Sequence, residues 1–502
     1  MNSTPASPQL DSSNPRPAAP PRRPRVLVIA ESANPKLTSV ALIGWSFSRA
    51  LAKVADVHLV AEIRNQPDIE AAGIEGMEFT PINNRRWQGM AWKVAKVLRG
   101  GTSLGWSTYS ALATLAYPAF ERRVWEKFGA RIARGEFDVV HRITPNTPVT
   151  PSLLATRCAK AGVPFVLGPL NGGVPWPKEF AHLRHAEREW LSPLRNAYKL
   201  LPGFHATRRD AAALLIGAKF AWNEMPGRYH DKCVFLSENA IDAERFPRWE
   251  RPELSGPLRV AFVGRLVPLK GVEMLLEAAA PLARAGRLQL DIIGDGPEMP
   301  KLRLLATDLK IADRVEFPGW VSHAQLAERL SRSQVFGFPS VREFGGGVVL
   351  EAMALGLVPV VLDYAGPAEL VPPGTGFAVP MGARSEIVRN LAECFSKLLA
   401  APAELRAMGR RAEEQVFQNF TWDAKARQML QVYDWVLGRR EAKPDWGPPL
   451  GFKGAAGGAD QRSVGVSLAS FIGQICSGRE MGPRWQPGNT AFGTGTKLCM
   501  AW

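Results

Sequence analysis

The sequence predicts an α/β chain with two Rossmann-like, doubly wound units in succession, and three observations carry that expectation. Continuous apolar runs such as Val26-Leu27-Val28-Ile29-Ala30 lack period-two alternation, so they read as strands buried on both faces of a parallel sheet. These runs alternate with segments of helical period, which is the pattern of βαβ units. The alternation then starts afresh near residue 258, which divides the chain into two such units.

In the first unit, strands are expected at Val26–Ala30, Val57–Val60, Asp138–His141 and Pro164–Leu167, with a helix over 40–53. In the second, strands are expected at Leu258–Gly264, Leu288–Gly294, Arg314–Phe317, Val335–Pro339 and Val358–Leu362. The helices between them are expected at 271–285, 298–309, 323–332 and 347–355. Three prolines and mixed charges mark 247–257 as the linker between a domain at 25–246 and a domain at 258–421. Residues 422–440 read as one more amphipathic helix. The stretch 1–24, rich in Pro, Ser, Asn and Arg with few large apolar groups, and the stretch 447–502, rich in Gly, Pro and Ser with weak periodicity, are expected to be largely disordered tails; a short appended element is the alternative at 447–502.

Bulk composition narrows the function classes. The chain has 502 residues, 46% hydrophobic and 22% charged, which is ordinary for a globular protein. It contains no apolar run of transmembrane length and no apolar core of a signal peptide near its start. Its five cysteines are scattered, without CxxC or Cys/His spacing, so neither a disulfide framework nor a zinc site is expected. A reducing, cytoplasmic setting follows. The net charge of +15 favours an anionic partner. Zinc-finger and RNP-like motifs are missing, which disfavours nucleic acid and leaves phosphorylated ligands and anionic lipid.

The chemistry concentrates in the second unit. Gly264-Arg265-Leu266-Val267-Pro268-Leu269-Lys270-Gly271 joins a strand to a helix. Gly264 allows the sharp turn, the helix start offers free N–H groups, and Arg265 and Lys270 add two cations. That combination suits a diphosphate at the carboxyl end of a strand, although a solvated basic loop would look the same. Glu343 and Glu351 lie eight positions apart, with Phe344, Gly345, Gly346, Gly347 and Val348 between them. The glycines leave backbone N–H groups unshielded at a helix start. Glu351 falls inside the apolar run Val349–Ala354, where a carboxylate needs a strong partner. A ribose diol or a neighbouring arginine would serve.

At these residues the chain resembles the retaining glycosyltransferases of the two-domain GT-B fold, glycosyltransferase family 4 (glycosyl transferases group 1). The resemblance runs through Gly264-Arg265 with Lys270-Gly271, Gly294-Asp295-Gly296-Pro297, Phe317–Val321, Pro339-Ser340, the Glu343/Glu351 pair and Asp363–Glu369. Glu238-Asn239-Ala240-Ile241-Asp242 looks like the family's inter-domain stretch. The resemblance implies two domains facing a central cleft, with helix 422–440 returning to the N-terminal one. It implies a nucleotide-diphosphate sugar as donor (a UDP- or GDP-sugar), with no cofactor, and a glycan or lipid-linked acceptor. Arg265 and Lys270, with Gly264, would hold the diphosphate and Glu351 the ribose. Glu343 and the segment Phe344–Val348 would position the sugar. Glu343 and His141 would stand at the reacting centre, His141 as a contact to the donor sugar; a histidine capping a strand end is the alternative. No enzyme nucleophile stands out, which fits front-face attack assisted by the leaving phosphate.

The N-terminal half departs from the family. The loop after the first strand, Glu31–Lys36, lacks the usual glycine pair, and Ile143 stands where a second histidine is common. Asn171, Gly172, Gly173 and Trp176 offer close backbone approach and a sugar-stacking face, so they are candidate acceptor residues; a tight structural turn is the alternative. Arg85-Arg86-Trp87 through Arg99 mixes tryptophan and basic residues, as would a helix lying on an inner membrane surface or one packed on the domain with a basic outer face. No Asp-x-Asp motif occurs, so no metal is expected. A catalytically inactive scaffold and a sugar-nucleotide epimerase are the alternative functions.

Overall fold

The first sheet has seven strands in the order β3-β2-β1-β4-β5-β6-β7, and every pairing between neighbours is parallel. The strands are β1 (Arg25–Ala30), β2 (Asp56–Glu62), β3 (Met77–Ile82), β4 (Val139–Thr144), β5 (Phe165–Leu170), β6 (Ala213–Ile216) and β7 (Cys233–Phe235). The computed structural model describes residues 22–84, 106–183, 199, 201, 203–249 and 256–446. Residues 1–21 of the expected N-terminal tail, the basic stretch at 85–99, residues 250–255 of the linker and the tail at 447–502 lie outside the described residues.

Burial explains the continuous apolar runs. Val26–Ala30 of β1 are all fully buried, because helices cover both faces of the sheet. On one face, helix Trp106–Ala133 sets Phe120, Val124, Phe128 and Ile132 against Leu27, Ile29, Val60 and Val140. On the other, helix Val40–Ala52 sets Trp45, Phe47 and Leu51 against Val26 and Val28.

The second sheet has six parallel strands in the order β10-β9-β8-β11-β12-β13. They are β8 (Leu258–Val263), β9 (Leu288–Ile293), β10 (Val315–Gly319), β11 (Val335–Phe338), β12 (Val358–Leu362) and β13 (Phe377–Val379). Both sheets reverse direction beside their first strand, between β1 and β4 and between β8 and β11. Such switch points place ligands at the carboxyl ends of the strands. Helix Val272–Arg284 follows β8 and buries Val272, Leu275, Leu276, Ala279 and Ala283, an i, i+3, i+4, i+7, i+11 stripe.

The chain passes between the lobes twice, and the two crossings lie side by side. The Ile241 amide donates to the Phe420 carbonyl at 2.7 Å, and the Trp422 amide donates to the Ile241 carbonyl at 3.2 Å. The last helix, Trp422–Val436, then leaves the second lobe. Thr421 caps it by accepting from the Ala424 amide at 3.1 Å. Its Met429, Val432 and Tyr433 complete the core that Phe47 and Val28 begin, and Lys53 pairs with Asp423 at 2.6 Å. The two lobes also touch at the carboxyl ends of their strands, where Asn171 after β5 donates to the Phe344 carbonyl after β11 at 3.1 Å.

Candidate functional site

Two loops at the carboxyl ends of β8 and β11 bring the basic motif and the paired glutamates together. The Val341 amide donates to the Leu269 carbonyl at 2.9 Å, and the Ser340 hydroxyl reaches the same carbonyl at 3.3 Å. These bonds hold the loop Gly264–Gly271 beside the loop Pro339–Gly346. Lys270 ends a single 3-10 turn, Pro268–Lys270, and its ammonium forms a salt bridge with the Glu343 carboxylate. The two side chains are 16% and 22% exposed, so the pair remains open to an incoming ligand. The Lys270 ammonium also stands 5.1 Å from the centre of the Phe338 ring, a cation–π contact that fixes its direction. Arg265 is exposed in the same loop. Gly264 closes the turn as β8 ends, and its amide donates to the Ile293 carbonyl at 3.0 Å.

The glycine run starts a helix without a side-chain cap. Gly346 has φ of 71° and is the N-cap of helix Gly347–Ala354, a left-handed conformation that a larger residue would adopt only under strain. The first-turn N–H groups of Gly347 and Val348 therefore have no capping side chain in front of them. One turn further along, Glu351 is half-buried. Among the described residues no group hydrogen-bonds it. Burial pushes its carboxyl up to about 7, and the charge of Arg245 pulls it the other way without forming an ion pair. The arginine salt bridge weighed from the sequence is therefore not formed.

The candidate acceptor residues sit against this glycine-rich loop. Asn171 is buried, and its side-chain amide donates both to the Phe344 carbonyl and to the Glu238 carboxylate. Its own side-chain carbonyl accepts from the Gly172 amide at 2.6 Å. Gly173 is exposed. Trp176 is engaged from across the lobe boundary, with the Arg342 guanidinium 4.9 Å from the Trp176 ring and 5.1 Å from the Phe344 ring. Arg342 Nε also donates to the Val174 carbonyl at 3.0 Å, and the Tyr364 hydroxyl donates to the Pro175 carbonyl at 2.9 Å. The segment Asn171–Trp176 thus touches the second lobe at four points, which a free structural turn would not.

His141 is placed differently from the expectation that it contacts the donor sugar. Strand alternation turns it to the face covered by helices Val40–Ala52 and Trp422–Val436, where it is fully buried. Its Nε2 donates to the Gly168 carbonyl at 2.8 Å, so Nδ1 is left to accept from the Tyr433 hydroxyl at 2.7 Å. Both nitrogens are occupied and burial lowers its pKa to about 4, so the imidazole is a neutral structural group in this conformation.

Three titratable groups here were not expected, Glu238 and Lys425 being buried and Glu369 half-buried. Glu238 and Glu369 have carboxyls pushed up to about 7 by burial, and Lys425 is pulled down to about 7 for the same reason. Two signals could have revealed them. Glu238 immediately precedes the crossover Asn239, and Lys425 interrupts the apolar side of an otherwise amphipathic helix. No cluster of His, Cys, Asp or Glu among the described residues is arranged to hold a metal.

The family model for glycosyl transferases group 1 matches residues 245–415. The chain is 32% identical over 242 residues to the alpha-D-kanosaminyltransferase of Streptomyces kanamyceticus, spanning 46% of this chain and 61% of that relative. It is 30% identical over 306 residues to the putative colanic acid biosynthesis glycosyltransferase WcaL of Salmonella typhimurium, spanning 56% of this chain and 73% of that relative. The HepE structure from Anabaena, solved in complex with UDP, superposes with a TM-score of 0.54 at 17% identity, covering 81% of this chain and 99% of that one. The two parallel sheets and their facing strand ends are those of the GT-B fold, and the chain belongs to the glycosyl transferases group 1.

Proposed function

We propose that this protein is a retaining glycosyltransferase that moves a sugar from a nucleotide-diphosphate sugar to a glycan or lipid-linked acceptor. The observation that carries this reading is the Lys270–Glu343 pair at the entrance of an uncapped glycine-rich helix start, with Glu351 unpartnered one turn behind it. A diphosphate fits the cations Arg265 and Lys270 and the open N–H groups of Gly347 and Val348. When phosphate takes Lys270, Glu343 is released to accept hydroxyls of the donor sugar. Glu351 offers two acceptor oxygens to a ribose diol. The bond from the anomeric carbon to the diphosphate breaks on the face where the acceptor oxygen attacks. The acceptor proton passes to the leaving phosphate, so the step requires no enzyme nucleophile. Positive charge around the departing diphosphate stabilises it as charge develops.

The UDP bound by HepE supports a uridine nucleotide, and the role named for WcaL supports polysaccharide synthesis as the setting. A cytoplasmic location, peripheral on the inner face of the membrane, suits a lipid-linked acceptor. Among the described residues no helix is long and apolar enough to cross a membrane. The test is a thermal-shift screen against UDP, GDP and their sugars without added metal. A ligand at 100 times its dissociation constant should contribute about 2.7 kcal/mol of stability. A shift confined to one nucleotide would identify the base; folded protein that shifts with none would leave the inactive-scaffold reading in its place.

A further inference from the structure

The donor-side loop and the candidate acceptor segment share a single buried support. Glu238 follows β7 at the start of the first crossing and is 4% exposed. One of its oxygens accepts from the side-chain amides of Asn171 and Asn239, the latter at 3.1 Å. The other oxygen is buried and has no hydrogen-bond partner. Asn171 donates its second amide proton to the Phe344 carbonyl, the residue next to Glu343. Gly345 passes so close that a Cβ there would lie 2.6 Å from a Glu238 carboxylate oxygen, so only glycine lets the loop settle on this carboxylate. Glu238 thus touches the crossing, the first lobe and the second lobe at one point.

The surroundings explain how such a carboxylate is tolerated. Buried Lys425, from helix Trp422–Val436, supplies a compensating charge when protonated, although burial pulls its ammonium down to about 7. Glu369, on the short helix Gly366–Glu369, opposes it and takes its own hydrogen bond from the Lys219 amide at 2.8 Å. Beside these groups lies a cavity of about 20 Å³ lined by Gly217, Ser237, Glu238, Gly345 and Glu369, enough for one water. Lys219 acts on Glu369 as Lys425 acts on Glu238, so two carboxyls raised by burial face two lysines, and protonation of a carboxyl relieves its lost solvation.

We infer that Glu238 is a positioning residue, whose ionised carboxylate holds Asn171 and the crossing against Phe344–Gly345 and so sets the donor-side loop at a fixed distance from the segment Asn171–Trp176. The significance of that spacing for transfer rests on the function proposed above, but the support itself does not. Burial holds the Glu238 carboxyl at about 7, so the support weakens when the carboxyl takes up a proton, as pH falls through that value.

Amide hydrogen exchange on the full chain tests this without any ligand. In the wild type, protection of amides in 343–347 and 171–174, corrected for intrinsic rates, should fall at least threefold from pH 8 to pH 6. Glu238→Gln should show lower protection at pH 8 and a smaller pH dependence, what remains coming from Glu369 and Lys425, which burial also brings to about 7. Helix Val272–Arg284, packed in the second-lobe core, should behave alike in both proteins. If Glu238→Gln does not fold, the charge-balanced pair Glu238→Gln with Lys425→Met should give the same loss. Wild-type protection at 343–347 at pH 8 in a folded variant, or a pH dependence there as large as that of the wild type, would overturn the inference. Where the wild type transfers sugar from UDP-glucose, the variant should lose kcat tenfold with donor KM changed less than threefold. A wild type that binds no nucleotide would defeat the proposed donor and leave the exchange result standing on its own.

Discussion

At the scale of single residues, Glu351 is the sharpest case of a side chain kept against the interest of the fold. A carboxylate inside an apolar helix loses solvation, and here only the charge of Arg245 offsets that loss, with no hydrogen bond to it among the described residues. With its carboxyl at about 7, the folded chain binds a proton more readily than the unfolded chain between the ordinary carboxylate range and that value. Stability contributed by this site therefore falls as pH rises through that window. A ribose diol that donates to the carboxylate prefers the ionised form, so donor binding has the opposite sign. Affinity for a nucleotide sugar, whose diphosphate does not titrate here, should drop about tenfold between pH 8 and pH 6, following the ionised fraction. Glu351→Gln should flatten that dependence and weaken binding about tenfold at pH 8, because bonds to a charged acceptor are the stronger ones. The same variant should melt higher than wild type at pH 8. Titration calorimetry and thermal melts read the two effects separately, and equal donor affinity in both proteins would remove Glu351 from the site. Lys270→Ala should also weaken binding, by about 1.5–3 kcal/mol, since it removes a charged donor from the phosphates while leaving Glu343 to solvent.

At the scale of elements, what the sequence disclosed depended on burial. Strands β1, β2, β8 and β12 were legible because Val, Ile and Leu fill both faces of a central strand. The edge strand β10 was also expected, at Arg314–Phe317, whereas the other three edge strands and the short buried β6 were not. β3 carries Glu78 and Pro81, which an edge position tolerates, and β7 and β13 have three residues each, too few for a pattern. Helices Arg384–Ala400 and Pro402–Asn419 escaped because their apolar stripes lie among many charges. The site loops were legible because glycine, cation and carboxylate stood at short spacing along the chain. The burial of His141 was not legible because its partner Tyr433 lies 292 residues further along the chain. That hydrogen bond gives its own expectation. Tyr433→Phe keeps the ring and deletes the hydroxyl, which leaves Nδ1 of a fully buried imidazole unpaired. The loss should be about 1–3 kcal/mol, read as a lower midpoint in denaturant with an unchanged slope. Donor affinity should not move, since the bond lies behind the sheet. Donor affinity falling with stability intact would put His141 back at the sugar.

At the scale of the whole molecule, two kinds of contact between the lobes must be distinguished. The crossings at Ile241 and Thr421 are backbone pairings and survive any side-chain change. The cleft contacts are side-chain contacts and can part, as surfaces between lobes of one chain commonly do. Arg342 is the centre of the second kind. Its guanidinium lies between the Trp176 and Phe344 rings and its Nε bonds the Val174 carbonyl, so it fastens the first lobe to the residue beside Glu343. Each stacking contact is worth about 0.5–2 kcal/mol depending on how dry it is, an amount that binding of a ligand in the cleft can exchange. Such contacts suit a hinge whose closed state is favoured but not locked. Arg342→Ala should therefore shift the free protein toward a more open form, read as a larger radius of gyration in small-angle scattering. Its nucleotide affinity should stay within threefold of wild type, because Arg265, Lys270 and Glu351 all belong to the second lobe. Transfer to the acceptor should fall much further, because the reacting groups must be held by both lobes at once. Trp176→Ala should reproduce both effects, and the double variant should add little to either single one, since the two side chains form one contact. An unchanged radius together with unchanged transfer in Arg342→Ala would show that closure is carried by the crossings and the Glu238 support alone.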